Sequence, residues 1–127
     1  MRIFLSLLLA GIVISTIGCG GHTMMDPCTI VGLTVGPASA TVNHVAAPPT
    51  NGQSFVSNPK FFSVCSSATA IPLNSNWTAS DPSVHLSPAQ GGTTTATCTA
   101  ALVSPATITA TSADASKFTG TATLTCN

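Results

Sequence analysis

Hydrophobic and polar residues follow two different patterns along this chain, and the first pattern is confined to its beginning. An uncharged, largely apolar run of 16 residues extends from Ile3 to Gly18, after a short positive start at Met1 and Arg2. This run is shorter than the roughly 20 residues that a helix needs to cross a bilayer. A charged start, a short apolar centre and small residues at the end are typical of a secretory signal. We therefore expect residues 1–18 to form an N-terminal signal helix.

Cys19 gives this signal a more specific meaning. The segment Thr16-Ile17-Gly18-Cys19 resembles a bacterial lipobox, although Thr16 stands where leucine is usual. The resemblance implies that Cys19 carries two or three acyl chains, and several chains hold a protein firmly on a membrane. Gly20 follows the cysteine, which by resemblance to Gram-negative sorting favours the outer membrane or the cell surface. Residues 19–28 would then be the lipidated cysteine and a tether. An ordinary secretory signal and an uncleaved anchor are the alternatives.

The second pattern is a strict alternation in the last third of the chain. Threonine occupies every second position of three segments, Thr95–Ala100, Ala106–Thr111 and Thr121–Cys126. Because successive side chains of a strand point to opposite faces, each segment predicts a strand with threonine outside and Ala, Ile, Leu or Cys inside. Threonine is β-branched and suits the pleated surface of a sheet.

Turn-forming pairs divide the rest of the chain at short intervals. These pairs are Gly36-Pro37, Pro48-Pro49, Asn51-Gly52, Asn58-Pro59, Asp81-Pro82 and Gly91-Gly92. The segments between them predict strands at Val31–Val35, Ala38–Val42, Lys60–Cys65, Ser75–Ser80 and Val84–Ser87. About seven short strands at this spacing predict an all-β fold, an immunoglobulin-like β-sandwich over residues 29–127. We expect Trp77 at its centre, with further apolar bulk from Phe55, Phe61 or Phe62, Ile108 and Leu124.

Four segments of this predicted sandwich resemble a known family. They are Leu33–Ala40, Asn76–Pro82, Ala106–Thr111 and Gly120–Thr125, in that order along the chain. Together they resemble the bacterial Ig-like domain of group 2 (BIG2), related to invasin and intimin, over roughly Thr29 to Cys126. The cysteines and the Pro48–Pro59 insertion depart from that family. The resemblance implies a cell-envelope module and brings no set of catalytic residues.

Composition narrows the function classes. Only 5% of the residues are charged, three Lys and Arg balance three Asp, and there is no Glu. A chain without a basic patch cannot hold a phosphate backbone, which excludes nucleic acid as a partner. Three carboxylates leave little for paired acid and base catalysis. We expect no enzymatic activity and no cofactor.

Four cysteines remain once Cys19 is assigned to lipid, and four cysteines allow three pairings. In an immunoglobulin-type sandwich the start of the first strand lies near the end of the second, and the fifth and last strands end at the opposite pole. This topology favours Cys28–Cys65 with Cys98–Cys126, in an oxidising compartment. The rival pairing is Cys65–Cys98 with Cys28–Cys126. Zinc is the other use of such residues, but the chain has no C-x-x-C or H-x-x-x-H pair, and we expect no metal.

Three further features invite a functional interpretation. Asp81, His85 and Ser87 could suggest a catalytic triad, but His85 and Ser87 share a predicted strand face and no G-x-S-x-G elbow occurs. His44 is expected to lie exposed in a loop. The segment Val45–Pro59 is expected to be a loop and the best candidate for a binding surface.

The sequence thus predicts a lipid-anchored cell-envelope protein with a structural, adhesion or protein-interaction role. The membrane is reached through Cys19, and a protein or glycan partner is not specified by any motif. A carbohydrate-binding or small-ligand-binding module is the alternative, and a small hydrolase is a weaker one.

Overall fold

The computed structural model describes residues 29–62 and 71–127, which form strands and turns without a helix. The strands are β1 (Ile30–Gly36), β2 (Ser39–Val42), β3 (Gly52–Phe61), β4 (Ser75–Ala79), β5 (Val84–Ser87), β6 (Gln90–Gly91), β7 (Thr93–Cys98), β8 (Ala106–Ser112) and β9 (Thr119–Cys126). They form a four-stranded sheet in the order β1-β3-β7-β5 and a five-stranded sheet in the order β2-β9-β8-β4-β6. The predicted all-β sandwich is confirmed. The predicted signal helix, residues 1–18, and the tether, residues 19–28, lie outside the described residues.

The strand order is that of an immunoglobulin-like sandwich. In that fold the first, second, fifth and fourth strands share one sheet, while the third, sixth and seventh share the other. Here β1, β3, β7 and β5 occupy the first set of places, and β4, β8 and β9 occupy the second. After Gly36 the chain crosses to the second sheet, where β2 pairs in parallel with β9 from Ser39↔Thr123 to Val42↔Cys126. The crossing lets one stretch of chain contribute an edge strand to each sheet.

The core lies between the two sheets and follows the alternation seen in the sequence. Phe55, Ile108 and Leu124 are completely buried, and Trp77 is 4% exposed. Four alanines, Ala96, Ala106, Ala110 and Ala122, fill the positions between these larger side chains. Because a buried indole N–H needs a partner, Trp77 Nε1 donates a hydrogen bond to the Gly91 carbonyl at 2.9 Å. The predicted core is confirmed at these four larger residues, whereas Phe62 is half exposed.

Strand β3 begins earlier in the chain than the sequence predicted, which corrects both the predicted strand and the predicted loop before it. The strand predicted at Lys60–Cys65 begins at Gly52, so most of the predicted loop Val45–Pro59 is β3. The misleading signal is Pro59, since proline is excluded from strands that are paired on both sides. Here β7 pairs only with Gly52–Val56, so Pro59 lies where β3 has β1 as its only neighbour. The lack of an N–H at Pro59 therefore breaks no ladder with β7.

Gly120 on β9 lies directly against Leu33 on β1, a strand of the other sheet. A Cβ at this position would be 2.6 Å from Leu33 Cδ2 and 2.9 Å from the Leu33 carbonyl oxygen. Neither distance is compatible with a side chain, and the second atom belongs to the backbone and cannot rotate away. The absent side chain lets β9 pass directly against β1.

The sandwich has two ends, which we name for use below. At the entry end β1 begins, β3 finishes and β9 starts; it includes Thr29, the segment 71–74 and the turn 113–118. At the far end β2, β7 and β9 finish; it includes the turns 43–51, 80–83 and 99–105. The chain joins the domain at the entry end.

Candidate functional site

A disulfide joins Cys98 on β7 to Cys126 on β9, with the sulfur atoms 1.94 Å apart and the Cα atoms 6.0 Å apart. The two residues are 4% and 1% exposed, as their inward-facing positions in the alternation predict. Because β7 and β9 belong to different sheets, the bridge ties the two layers together at the far end. This is one of the two bridges of the favoured pairing. The other, Cys28–Cys65, and the lipidation residue Cys19 lie outside the described residues.

Backbone hydrogen bonds hold the loops of the far end around this bridge. The Leu102 N–H donates to the Cys126 carbonyl at 2.9 Å, and the His44 N–H donates to the Asn127 carbonyl at 3.0 Å. The Thr99 N–H donates to the Ser83 carbonyl at 2.9 Å. The backbones of the three far-end turns are thus bonded to the end of β9 or to one another.

The exposed surface of the far end is mostly apolar or neutral. Val45 is 75% exposed and Val103 is fully exposed. The His44 Nδ1–H donates to the Asn127 carbonyl, so this side chain contacts the residue after β9 and is only partly exposed. The part of the predicted binding loop that is a loop, residues 43–51, lies here.

The three residues that could suggest a triad do different things. Asp81 Oδ1 accepts the Ser83 N–H at 2.8 Å, which closes a local turn. His85 and Ser87 are exposed on one face of β5, whereas Val84 is buried on the opposite face. No side-chain hydrogen bond among the described residues links Asp81 to His85 or His85 to Ser87. The geometry offers no activated nucleophile at this strand.

The described parts of the chain contain no group of three or more His, Cys, Asp or Glu side chains placed to hold a metal ion. Within residues 29–62 and 71–127 there is likewise no helix long and apolar enough to span a membrane.

The outer face of the five-stranded sheet carries a regular array of hydroxyl groups. Cross-strand pairing aligns Ser39 with Thr123 and Thr107, and aligns Thr121 with Thr109 and Thr78. Neighbouring strands lie about 4.8 Å apart, and alternate residues along a strand about 6.6 Å apart. None of the side-chain hydroxyls of Thr78, Thr107, Thr109, Thr121 or Thr123 has a hydrogen-bond partner in the described part of the chain. We call this surface, with Thr41, Thr111 and Thr125, the threonine face.

The opposite sheet presents a different outer surface. Lys60 on β3 and His85 on β5 are exposed there. Two of its threonines are engaged with the backbone, since Thr34 Oγ1 donates to the Asn58 carbonyl and Thr97 Oγ1 to the His85 carbonyl. The sandwich therefore has one uniform, uncharged face and one mixed face.

A cluster of polar side chains shapes the turn that leads into β9. Asp114 Oδ1 accepts hydrogen bonds from the hydroxyl and the backbone N–H of Ser116 and from the Ser112 hydroxyl at 2.8 Å. The side-chain hydrogen bonds from Ser116 and then Ser112 hold the pKa of Asp114 below its ordinary value. These bonds stabilise the ionised carboxylate, so the turn is firmest when Asp114 is charged.

Sequence patterns did not reveal the buried serines at the entry end. Ser57 is fully buried, and its carbonyl accepts the Leu73 N–H at 2.9 Å while its N–H donates to the Gly92 carbonyl at 2.9 Å. The Ser57 and Ser75 hydroxyls both donate to the Leu73 carbonyl. Serine at an inward position was the available signal, since a buried hydroxyl must find a partner inside the protein.

Comparison with known proteins adds no relative to this description. No protein-family model matches the chain, and no curated protein matches it.

Proposed function

We propose that this chain is a non-enzymatic, lipid-anchored protein of the bacterial cell envelope, whose Ig-like domain of the BIG2 type serves a structural, adhesion or protein-interaction role. The observation that carries the proposal is the strand order β1-β3-β7-β5 over β2-β9-β8-β4-β6, locked by a bridge between the sheets. A rigid sandwich that presents loops at one end is a scaffold for contact.

The BIG2 assignment is supported by where its four motifs fall. Leu33–Ala40 spans the crossing from β1 to β2, and Asn76–Pro82 covers β4 and the turn after it. The other two motifs lie in β8 and β9, which pair with each other. The motifs therefore meet in adjacent strands of one sandwich.

The exported and anchored location is supported by the lipobox-like residues before Cys19 and by the disulfide. A bridge between Cys98 and Cys126 persists in an oxidising compartment, outside the cytoplasm. The anchor would be the membrane on which the acyl chains of Cys19 insert, with the outer membrane or cell surface favoured by Gly20.

Metabolic labelling with a palmitate analogue tests the anchor in bacteria that express the full chain. We expect label on the wild-type protein and recovery with membranes, and neither for Cys19→Ser. The matched control is the double variant Cys28→Ser and Cys65→Ser, which removes two other cysteines and leaves the lipobox intact. Label that persists in Cys19→Ser, or wild-type protein without label, would contradict the proposal.

A turnover assay addresses the absence of catalysis in the proposal. The purified protein should not hydrolyse a generic ester above the rate of a heat-denatured sample. Hydrolysis that Ser87→Ala abolishes would replace the scaffold role with a hydrolase.

The threonine face favours a second candidate, a carbohydrate-binding module. Its free hydroxyls and lack of charge suit a neutral glycan, which binds through many hydrogen bonds. A glycan array probed with the full chain tests this candidate. Binding that the double variant Thr109→Ala and Thr121→Ala removes, and that Thr95→Ala on the other sheet leaves unchanged, would establish it.

A further inference from the structure

Both lysines of the domain lie at the entry end of the sandwich. Beyond Arg2 in the predicted signal, the only Lys and Arg residues in the sequence are Lys60 and Lys117. Lys60 is exposed and pairs with Gly32 near the beginning of β1. Lys117 is exposed in the turn that leads into β9, and Gly120 of β9 lies against Leu33. Two residues far apart in the sequence thus lie at the same end of the fold.

Exposed apolar side chains lie at this same end. Phe62 is 50% exposed, and its N–H donates to the Thr29 carbonyl where β1 begins. Ile71 is 77% exposed, two residues before Leu73, whose N–H is bonded to β3. Val31 on β1 is 39% exposed. An exposed aromatic and an exposed isoleucine at the same end as two lysines form the combination that binds at a lipid–water interface.

The position of the tether places this end next to the proposed anchor. The tether joins the domain at Thr29, and nine residues separate Thr29 from Cys19. At no more than about 3.6 Å for each of the ten steps from Cys19 to Thr29, Thr29 cannot lie more than about 36 Å from the lipidated cysteine. The far end is separated from the anchor by the additional length of the strands.

The positions of the carboxylates also favour the entry end as the side that faces an anionic membrane. Asp81 belongs to the far end. An anionic membrane would repel its carboxylate, which favours an orientation with the far end away from the membrane. At the entry end the Asp114 carboxylate is engaged by Ser112 and Ser116, and Asp26 lies in the tether. Among the described residues the entry end therefore carries two lysines and the ionised Asp114, a net charge of +1, whereas the one charged side chain of the far end is the carboxylate of Asp81.

We propose that the entry end is a lipid-contacting surface, on which Phe62 and Ile71 enter the interfacial region and Lys60 and Lys117 bind the phosphates of anionic headgroups. The proposal rests on the anchoring function above and specifies its orientation. Acyl chains on Cys19 supply attachment, and the second contact holds the sandwich upright. The three far-end turns, with Val45 and Val103, then face away from the membrane toward any partner.

Amine footprinting tests this orientation on the purified full-length product. If the N-terminus is acylated at Cys19, Lys60 and Lys117 are the only amines of the mature chain. Their rates of acylation are compared on vesicles of phosphatidylglycerol with phosphatidylcholine, on phosphatidylcholine alone, and in detergent. Attraction to an anionic surface stabilises the charged form of a nearby lysine by about 1 kcal/mol, and acylation requires the neutral amine. We therefore expect both lysines to react about fivefold more slowly on the anionic vesicles. Added salt should restore the rate.

Paired variants separate the surface from general effects. Phe62→Ser with Ile71→Ser should abolish the protection, whereas the matched pair Val45→Ser with Val103→Ser at the far end should keep it. Equal rates on anionic and neutral vesicles, or equal effects of both pairs, would overturn the proposal. Protection that appears in detergent and rises with protein concentration would assign the surface to a second copy instead, and would also overturn it.

The intact mass of the same sample keeps the two proposals distinguishable. A product without acyl chains contradicts the anchor. In that case the lysine acylation rates are measured on the same product mixed with vesicles, and they still test the lipid-contacting surface. If the product is acylated but its lysines are not protected on anionic vesicles, the lipid-contacting surface is contradicted and the anchor is not.

Discussion

Cys98 and Cys126 face each other across the interior of the sandwich and form a covalent link between its two sheets. The bridge closes a loop with a sequence separation of 28 residues. In the chain-entropy description, a loop of this length stabilises the folded state by about 3–4 kcal/mol. Because the bridge joins residues that are distant in the sequence, in this description it stabilises the fold mainly by restricting the conformations of the unfolded chain.

Replacing both residues of this bridge should weaken the fold without changing its strands. For Cys98→Ala with Cys126→Ala we expect the free energy of unfolding to fall by about 3–4 kcal/mol. Urea unfolding followed by far-ultraviolet circular dichroism measures this loss. Reduced wild-type protein provides the comparison, and a double variant as stable as the oxidised wild type would contradict the expectation.

The Cys98–Cys126 bridge leaves Cys28 and Cys65 as the remaining pair among the four cysteines. Thr29, which directly follows Cys28, accepts a backbone hydrogen bond from Phe62, which lies three residues before Cys65. We therefore predict a Cys28–Cys65 bridge in the exported protein. Peptide mapping under non-reducing conditions should recover both linked pairs, and a peptide that joins Cys28 to Cys126 would exclude this arrangement.

Trp77 should contribute strongly to stability through both volume and its indole N–H. Trp77→Phe leaves the Gly91 carbonyl without its donor and creates a small void between the sheets. We expect a loss of about 2–3 kcal/mol in the free energy of unfolding, measured by urea titration. Phe62→Leu, at a half-exposed aromatic, is the control and should change stability by less than about 0.5 kcal/mol.

Gly120 should tolerate no side chain, whereas a glycine in a neighbouring strand should accept one. Gly120→Ala forces a methyl group onto the Leu33 backbone, and we expect a loss of about 1–3 kcal/mol. Gly32→Ala is the matched control, because its Cβ would meet Lys60 at an ordinary 3.7 Å. A thermal unfolding comparison decides, and equal midpoints for the two variants would disprove the close contact.

The turn that contains Asp114 should make stability depend on pH in the acidic range. Its pKa is lowered in the folded protein by the Ser116 and Ser112 hydrogen bonds. The resulting stabilisation is present above the unfolded pKa, near the ordinary value of 3.8, and is lost as pH falls through the lower folded value. Unfolding free energy measured from neutral to acidic pH should therefore drop less steeply for Asp114→Asn than for wild type. Ser116→Ala, which removes the largest cause, should give an intermediate slope, and identical acid profiles would contradict the assignment.

The elements that were predicted well are those whose signal is local. In Ala106–Thr111 and Thr121–Cys126 the side-chain direction follows from the two-residue repeat of any strand, so the inward positions of Ile108, Leu124 and Cys126 could be assigned without a fold. Trp77 followed from its size and from its place in a predicted strand. These assignments need no knowledge of which strands are neighbours.

The elements that were predicted poorly depend on pairing. Pro59 was interpreted as a break, and only the length over which β7 covers β3 shows that the strand continues through it. The two-residue strand β6 exists because Asn76 and Ser75 lie opposite Gln90 and Gly91, which no local pattern encodes. The candidate lipid-contacting surface was missed for the same reason, because Lys60 and Lys117 come to the same end of the fold only after the sandwich closes.

By itself, the sequence predicted an all-β sandwich whose alternating strands put threonine outside and Ile108, Leu124, Cys98 and Cys126 inside, because alternation is a property of each strand alone. The tertiary structure decided which strands share a sheet, where β1 crosses to β2, why Gly120 has no side chain, and which end carries the lysines. These features depend on contacts between residues that are distant in the chain, and a linear pattern contains no record of them.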